Sequence, residues 1–360
     1  MNMNEIKKVR DSNIEALRII LMLIIIAHHY IVNSGVIDSV NQFVLRNGGG
    51  YSCLALIYGW GGKTAINCFV LVTGYFMCRQ EFKWRKLIHL YCEVKFYRIV
   101  IYLIFLISGY EDFSLKECYK ALFGVAYGFG KGFTSSFIAF YALVPFINKF
   151  IGSIEHKLYK RFLITLVVIF SIIPTFLLNS TFEYISWYVT LYLIAAYIRL
   201  YPCKIFDDKK ISGIFALVFL LLSWVSVAFI YFVSVKVKRI FPYYYFVADS
   251  NKILALLTSV FAFCFFKNIS LGKNRFINTI SSATFGVLLI HASSDTMRKW
   301  LWQDVCNNVW HFENDKYFML HALTCTICVF VVCVAIDLIR QFLQKRITGL
   351  ILCLKTQQSQ

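Results

Sequence analysis

The stretch that decides the fold runs from Asn13 to Tyr30 and reads NIEALRIILMLIIIAHHY. Its apolar run is long enough to cross a bilayer core, which needs about 20 helical residues. Similar runs recur along the 360-residue chain, in which 59% of the residues are hydrophobic and only 16% are charged. A soluble domain carries about 25% charged residues. The composition therefore excludes a soluble enzyme and a disordered chain, and it indicates an integral membrane protein.

The recurring runs predict an all-α, polytopic bundle of about ten transmembrane helices. We place these spans near residues 13–33, 62–78, 95–110, 133–151, 162–179, 184–201, 211–233, 249–267, 281–294 and 317–340. Lys and Arg are more frequent in the segments that a cytoplasmic N-terminus places inside, which favours cytoplasmic positions for both termini. The predicted organisation is a cytoplasmic N-terminal tail (1–12), a membrane domain (13–345) and a cytoplasmic C-terminal tail (346–360).

The net charge is +18, from 37 Lys and Arg against 19 Asp and Glu. In a soluble protein this excess would suggest nucleic acid as a partner. In a membrane protein, cationic cytoplasmic loops that face anionic head groups account for it. We therefore expect membrane lipids, and no nucleic acid, as partners. The 12 Cys lie mostly in or beside apolar runs, where Cys behaves as a small hydrophobic residue, and no metal site is predicted. The sequence leaves the oligomeric state undetermined.

Three ionisable residues of the first span form a stripe, and such residues inside a membrane mark functional candidates. Arg18 and His29 differ by about 20° in helical azimuth and by about 16 Å along the axis, with Glu15 on nearly the same face. The neighbouring His28 points about 80° away from Arg18 around the helix axis. A surface ion pair with a packing His29 explains the stripe about as well as a catalytic set. The depth of His29 favours a general base slightly, since imidazole titrates near neutral pH.

Two cations are placed at the start of the predicted third span. Lys95 and Arg98 lie three residues apart, on one face of a helix. They fit ordinary cationic anchors at the membrane boundary or a clamp for the phosphate groups of an anionic ligand. Both interpretations stay open on the sequence alone.

Polar residues in other spans are weaker candidates. Asn67, Thr73 and Tyr75 lie in the second span, where small and polar residues commonly serve helix packing. Tyr141 lies in the fourth span, one turn before a Pro that is expected to kink the helix. His291 ends the short ninth span.

Several motifs, taken in order, resemble those of the membrane acyltransferase-3 family, which comprises bacterial multi-span O-acyltransferases that usually modify extracytoplasmic sugars. The motifs are Ile14–Arg18 followed by His29, Asn67–Tyr75, Lys95–Ile99, Trp187–Arg199 and Thr284–His291. The resemblance extends over about residues 10–345, and ten spans are also the family's pattern.

The resemblance implies a multi-pass enzyme of the inner (cytoplasmic) membrane. Such an enzyme moves an acyl group, usually acetyl, from cytoplasmic acyl-CoA to a hydroxyl of a cell-surface or lipid-linked glycan, and it needs no metal. It implies roles for His29 as the base or acyl carrier and for Glu15 as the residue that orients Arg18. The CoA-binding candidates are Arg18, Lys95 and Arg98. The candidates for lining the tunnel or holding the acceptor are Asn67, Thr73, Tyr75, Tyr141 and His291.

Two other functional classes remain open. A transporter or flippase would also have many spans and buried charges, but it predicts matching broken helices in two repeated halves, and the sequence shows no convincing repeat. A non-catalytic subunit of a glycan export or assembly system would tolerate the loss of His29.

Overall fold

The computed structural model describes residues 11–46, 48–128, 132–177 and 183–357. Most of the predicted N-terminal tail, residues 1–10, and residues 358–360 of the C-terminal tail lie outside this part. The described residues form α-helices joined by short turns, with no strand among them. The helices are α1 (Ser12–Val32), α2 (Val36–Leu45), α3 (Ser52–Tyr58), α4 (Gly62–Met77), α5 (Trp84–Ile107), α6 (Leu115–Tyr127), α7 (Phe133–Ser153), α8 (His156–Val167), α9 (Ile173–Phe176), α10 (Tyr184–Leu200), α11 (Lys204–Asp207), α12 (Lys209–Val237), α13 (Ile253–Asn268), α14 (Arg275–Ser282), α15 (Thr284–His291), α16 (Asp295–Lys299), α17 (Asn308–Asn314) and α18 (Phe318–Gln357), with π-helical turns at Val168–Ile172 and Trp300–Val305.

The protein is a multi-pass membrane protein. Among the described residues, six helices are long and apolar enough to cross a bilayer, or seven if one bent pair counts as a single span. The six are Ser12–Val32, Ser52–Met77, Phe133–Ser153, His156–Phe176, Lys209–Val237 and Phe318–Thr348. The sequence predicts ten spans, and each of the ten overlaps a described helix. The structure thus supports the all-α membrane bundle and a smaller number of full-length spans.

Length and charge explain the difference between ten predicted spans and six or seven. Helices α10 and α13 have 17 and 16 residues, below the length of about 20 that crosses the hydrocarbon core. Helix α5 has 24 residues, but its charged side chains lie between Arg85 and Arg98, so only its last nine residues form an uninterrupted uncharged run. Helices α5, α10 and α13 therefore belong to the bundle, but each is too short or too charged to count as a full membrane span.

Helix α4 is the centre of the bundle and packs against α1, α10 and α13. Gly74 permits its close approach to α10, because a Cβ at this position would lie 2.9 Å from Tyr192 Cα. Small residues at helix contacts let backbones approach closely inside membranes. The Thr73-Gly74-Tyr75 motif thus contains a packing position.

Helix α12 lies at the lipid-facing edge of the bundle. Only 11% of its most apolar window is buried inside the protein. Large apolar side chains such as Leu217, Val225 and Phe229 are exposed on it. An exposed apolar surface of this extent matches the hydrocarbon interior of a bilayer.

The predicted ninth span, 281–294, is broken in the structure. The helical stretch Arg275–His291 ends at His291, and the following stretch, Asp295–Asn314, turns away by 97°. Ser294 is the N-cap of α16, since its hydroxyl accepts a hydrogen bond from the Met297 amide at 3.0 Å. Non-helical backbone at membrane depth is tolerated where protein or a cavity surrounds it. The break places the buried His291 at a helix end, directly before Ala292 and Ser293, which line a polar cavity.

Candidate active site

A polar cavity of about 300 Å³ lies between α1, α4, α5, α15 and the start of α7. Its wall combines histidines, cations and small polar side chains, with a few apolar residues. The polar side chains that line it are His28, His29, Lys63, Arg98, Thr134, Ser135, Tyr184, Ser293 and Arg298. The deep imidazole predicted from the first span therefore faces an internal cavity.

His29 and His291 form a hydrogen-bonded pair, with 3.0 Å between His29 Nδ1 and His291 Nε2. His291 Nδ1 lies 2.6 Å from the Val287 carbonyl oxygen. A carbonyl accepts only, so His291 Nδ1 carries the proton, and in the neutral ring its Nε2 is then the acceptor. His29 Nδ1 must donate to it, which leaves the lone pair of His29 on Nε2. The pair thus fixes the tautomer that a general base requires.

His28 also lines this cavity, although its azimuth differs from that of His29. Its Nδ1 donates to the Gly59 carbonyl oxygen at 2.5 Å. The ring packs against the backbone of Gly62, where a Cβ would lie 2.4 Å from the imidazole. His28 is therefore held by α3, α4 and the turn between them, and it has no imidazole partner that corresponds to His291.

Three cations line the cavity, namely Lys63, Arg98 and Arg298, and no Asp or Glu is among the described residues of its wall. Lys63 donates to the Tyr184 hydroxyl at 2.7 Å. Arg298 pairs at 2.8 Å with Asp295, a carboxylate that is itself 93% exposed. An excess of positive charge in an enclosed polar cavity favours an anionic ligand.

Arg98 reaches the cavity from the interior of α5. The third span is predicted to start near residue 95, but the helix begins at Trp84. A polar first half of the helix therefore precedes the apolar run, and Arg98 lies in the helix interior between them. Its place at the start of the third membrane span stays a prediction. Gly124 of α6 leaves space for the guanidinium, since a Cβ there would lie 2.5 Å from Arg98 Nη1.

Lys95 is not among the residues that line the cavity. Its ammonium lies over two aromatic rings, 5.8 Å from the Tyr91 centroid and 5.3 Å from the Phe123 centroid. The contact with Tyr91 lies within α5, and the contact with Phe123 is a cation–π contact between α5 and α6. The structure thus separates the two cations that the sequence groups together.

Arg18 and Glu15 lie at the other end of α1 from His29, and neither lines the cavity. Glu15 is buried, accepts a hydrogen bond from the Ser281 hydroxyl at 2.5 Å and faces Arg18 Nη1 at 3.5 Å. The Arg18 side chain is 27% exposed. This end of the stripe connects α1 to α14, so the stripe has two separate polar centres.

The remaining candidates lie outside the cavity wall. Asn67 donates to the Ser250 carbonyl at 2.6 Å and accepts from Trp187 Nε1 at 3.1 Å. Thr73 bonds within its own helix, to the Phe69 carbonyl. Tyr75 accepts from Arg199, and Tyr141 contacts the sulfur of Met77. Asn67, Tyr75 and Tyr141 thus make contacts outside their own helices, and Thr73 bonds only within α4.

The sequence analysis did not identify Lys63 and Arg298 as candidate site residues. Lys63 lies in the first turn of α4, and Arg298 lies in α16 after the break at His291. The sequence offers one signal for them. Lys63 lies shortly before the Asn67–Tyr75 motif, and Arg298 lies shortly after the Thr284–His291 motif. Nothing in the sequence shows that the chain folds them toward His29.

The order of helices, the paired imidazoles and the cation-lined cavity can be compared with known families. The family model described as an acyltransferase domain, Acyl_transf_3, matches residues 11–340. The chain belongs to this family. The acyltransferase-3 match covers nearly the whole chain, and it confirms the resemblance that the sequence motifs indicated.

Comparison with curated proteins finds no match, and comparison with solved structures finds none either. Within the described residues, no group of three or more His, Cys, Asp or Glu side chains is arranged to hold a metal ion. The acyltransferase-3 assignment therefore rests on the family model, and the roles of individual residues rest on the geometry of the cavity.

Proposed function

We propose that this acyltransferase-3 protein transfers an acyl group, most simply acetyl, from acyl-CoA to a hydroxyl of a cell-surface or lipid-linked glycan. The observation that carries the proposal is the His29–His291 pair, with 3.0 Å between the two ring nitrogens. It leaves the lone pair of His29 Nε2 available in a cavity large enough for a sugar hydroxyl and a thioester.

His29 Nε2 accepts the proton of the acceptor hydroxyl in this mechanism. The hydroxyl oxygen then attacks the thioester carbonyl carbon, the new C–O bond forms and the C–S bond breaks. The proton passes from His29 to the sulfur that leaves, so the products are the ester and free CoA. His291 orients the base, and positive charge at Arg98 and Lys63 stabilises the negative charge that develops on the carbonyl oxygen.

We place both termini on the cytoplasmic side of the cytoplasmic membrane, as the distribution of Lys and Arg favours. Arg18 then lies near the cytoplasmic end of α1, about 16 Å along the helix from His29. Its partly exposed guanidinium suits a CoA phosphate, and Glu15 holds it in place through the contact at 3.5 Å. Arg98 lies closer to the reacting groups. Lys95, held over two rings, is the weakest of the three CoA-binding candidates.

The test uses the full chain purified into lipid nanodiscs, with acetyl-CoA labelled in the acetyl group and a cell-envelope extract as acceptor. The wild type is expected to release CoA and to label the extract. His29→Ala is expected to lose both signals while it elutes as a folded monodisperse particle. Full transfer by His29→Ala would disprove the assignment of the base. Absence of transfer by the wild type, with unchanged glycan export when His29 is replaced, would favour the transporter or subunit alternatives.

A further inference from the structure

A second, larger concavity of about 1160 Å³ lies beside the polar cavity, between α5 and α18. Its middle is lined by apolar side chains, including Phe96, Ile104, Phe105 and Ile339. Along α5 its lining extends from His89 to Phe105 and continues to Tyr110 beyond the helix end; at 1.5 Å per residue the helical part is about 24 Å long. This length covers most of the hydrocarbon core of a bilayer, which is about 30 Å thick. We call this surface the α5–α18 groove.

An ionic cluster lines the groove near one end. Arg340 contacts Glu93 and Asp337, each at 2.7 Å. Tyr97 donates to Asp337 at 2.6 Å. Arg340 thus has two carboxylates close to it, so this end offers no excess positive charge for an anionic group.

The groove and the polar cavity are adjacent. At three places, two consecutive residues are divided between the groove and the cavity. These pairs, with the groove residue first, are Tyr97 and Arg98, Ile290 and Leu289, and Met297 and Arg298. A molecule with a hydrocarbon chain in the groove therefore has its polar end next to the cations of the cavity.

We propose that the α5–α18 groove binds the hydrocarbon chain of the acyl acceptor, and that this acceptor is a lipid whose sugar is attached through a phosphate. The substrate class rests on the proposed acyl transfer, whereas the binding site rests on the two cavities. The apolar lining of the groove suits a hydrocarbon chain. Lys63, Arg98 and Arg298 line the cavity without a carboxylate among the described residues of its wall, and Arg298 pairs with the exposed Asp295 outside it. These cations match the phosphate, and His29 faces the space left for a sugar hydroxyl.

The binding test uses undecaprenyl phosphate and undecaprenol, which share the chain and differ in the phosphate. Affinity is measured on the nanodisc-embedded full chain by competition with a fluorescent lipid. The wild type is expected to bind the phosphate at least tenfold more tightly than the alcohol. Arg298→Gln is expected to remove most of this preference. Equal affinity of the wild type for both lipids would overturn the anionic assignment.

A matched pair of double variants tests the groove. Ile104→Trp with Ile339→Trp fills it from both walls and is expected to weaken binding of both lipids at least tenfold. Leu103→Trp with Val332→Trp places the same residues at exposed positions of the same two helices outside the groove, and it is expected to bind like the wild type. Unchanged binding by the groove-filled variant would refute the site.

The acceptor class is tested separately from the enzyme activity. With labelled acetyl-CoA and whole envelope extract, label is expected in the fraction soluble in chloroform and methanol, and it should fall with the groove-filled variant. Label found only in water-soluble polysaccharide would overturn the lipid acceptor and leave acyl transfer intact. His29→Ala is expected to keep its lipid affinity, so loss of transfer and loss of lipid binding are distinguishable outcomes.

Discussion

His29 Nδ1 and His291 Nε2 lie 3.0 Å apart, although 262 residues separate the two histidines in sequence. The contact joins the first span to the helix end created by the 97° bend. His291 Nδ1 is held by the Val287 carbonyl of its own helix, so the protein fixes one tautomer in both rings. The carbonyl can only accept, so it fixes His291 directly, and through His291 Nε2 it fixes His29.

Replacement of His291 tests this orientation. His291→Leu removes the acceptor for His29 Nδ1–H and is expected to lower kcat by about 10²-fold or more, within the range of general-base contributions. His291→Gln keeps a carbonyl oxygen that can accept the same hydrogen bond, so it is expected to retain more activity than His291→Leu. Steady-state kinetics on both variants, with matched elution profiles, measures the difference. Equal loss in the two variants would indicate that His291 acts through packing alone.

His28 provides a second comparison within the same cavity. Its Nδ1 donates to the Gly59 carbonyl at 2.5 Å, a backbone group rather than a second imidazole. His28→Ala is therefore expected to reduce transfer less than His29→Ala does. The measurement is CoA release by both variants at saturating acetyl-CoA. If His28→Ala loses CoA release as completely as His29→Ala, the assignment of the general base from the Arg18–His29 stripe is wrong.

The sequence was sufficient for the class of fold and for the first-span stripe, because both follow from local periodicity. An apolar run of bilayer length and a His eleven residues after an Arg can be recognised without tertiary information. The separation of Lys95 from Arg98 could not be predicted, since the side chains share a helical face and only the position of α6 distinguishes them. The same holds for Lys63 and Arg298, whose approach to His29 depends on how α4 and α16 pack.

The space at Gly124 predicts a functional effect without loss of the fold. Gly124→Ala places a Cβ 2.5 Å from Arg98 Nη1, the far end of a flexible side chain that can move away. The variant is expected to shift the guanidinium out of its position, with a several-fold loss of transfer and a nearly unchanged melting temperature. Activity and thermal unfolding are measured on the same preparation. A large fall in melting temperature would show instead that Gly124 serves helix packing.

Gly286, in the Thr284-Phe285-Gly286 motif, is expected to be a structural requirement. A Cβ at Gly286 would lie 2.3 Å from Asp337 Cγ, and Asp337 is fixed by Tyr97 and Arg340. Gly286→Ala is expected to destabilise the protein by about 1–3 kcal/mol, as overpacked positions do. Gly152→Ala is the control, since no atom lies within 4 Å of a Cβ there. Thermal unfolding in detergent compares them, and equal melting temperatures would contradict the clash.

Asn67 and Trp187 show how two family-like motifs meet in the interior. Both are fully buried, and Asn67 bonds Trp187 Nε1 and the Ser250 carbonyl. Asn67→Leu leaves both partners unsatisfied, so it is expected to cost about 1–3 kcal/mol for each. Thr73→Val removes only a bond to the Phe69 carbonyl of the same helix and should be nearly neutral. The melting temperatures of the two variants, measured by fluorescence-detected size exclusion, compare the sites. If Asn67→Leu keeps the wild-type melting temperature but raises the KM for the acceptor, Asn67 binds substrate and the packing interpretation is wrong.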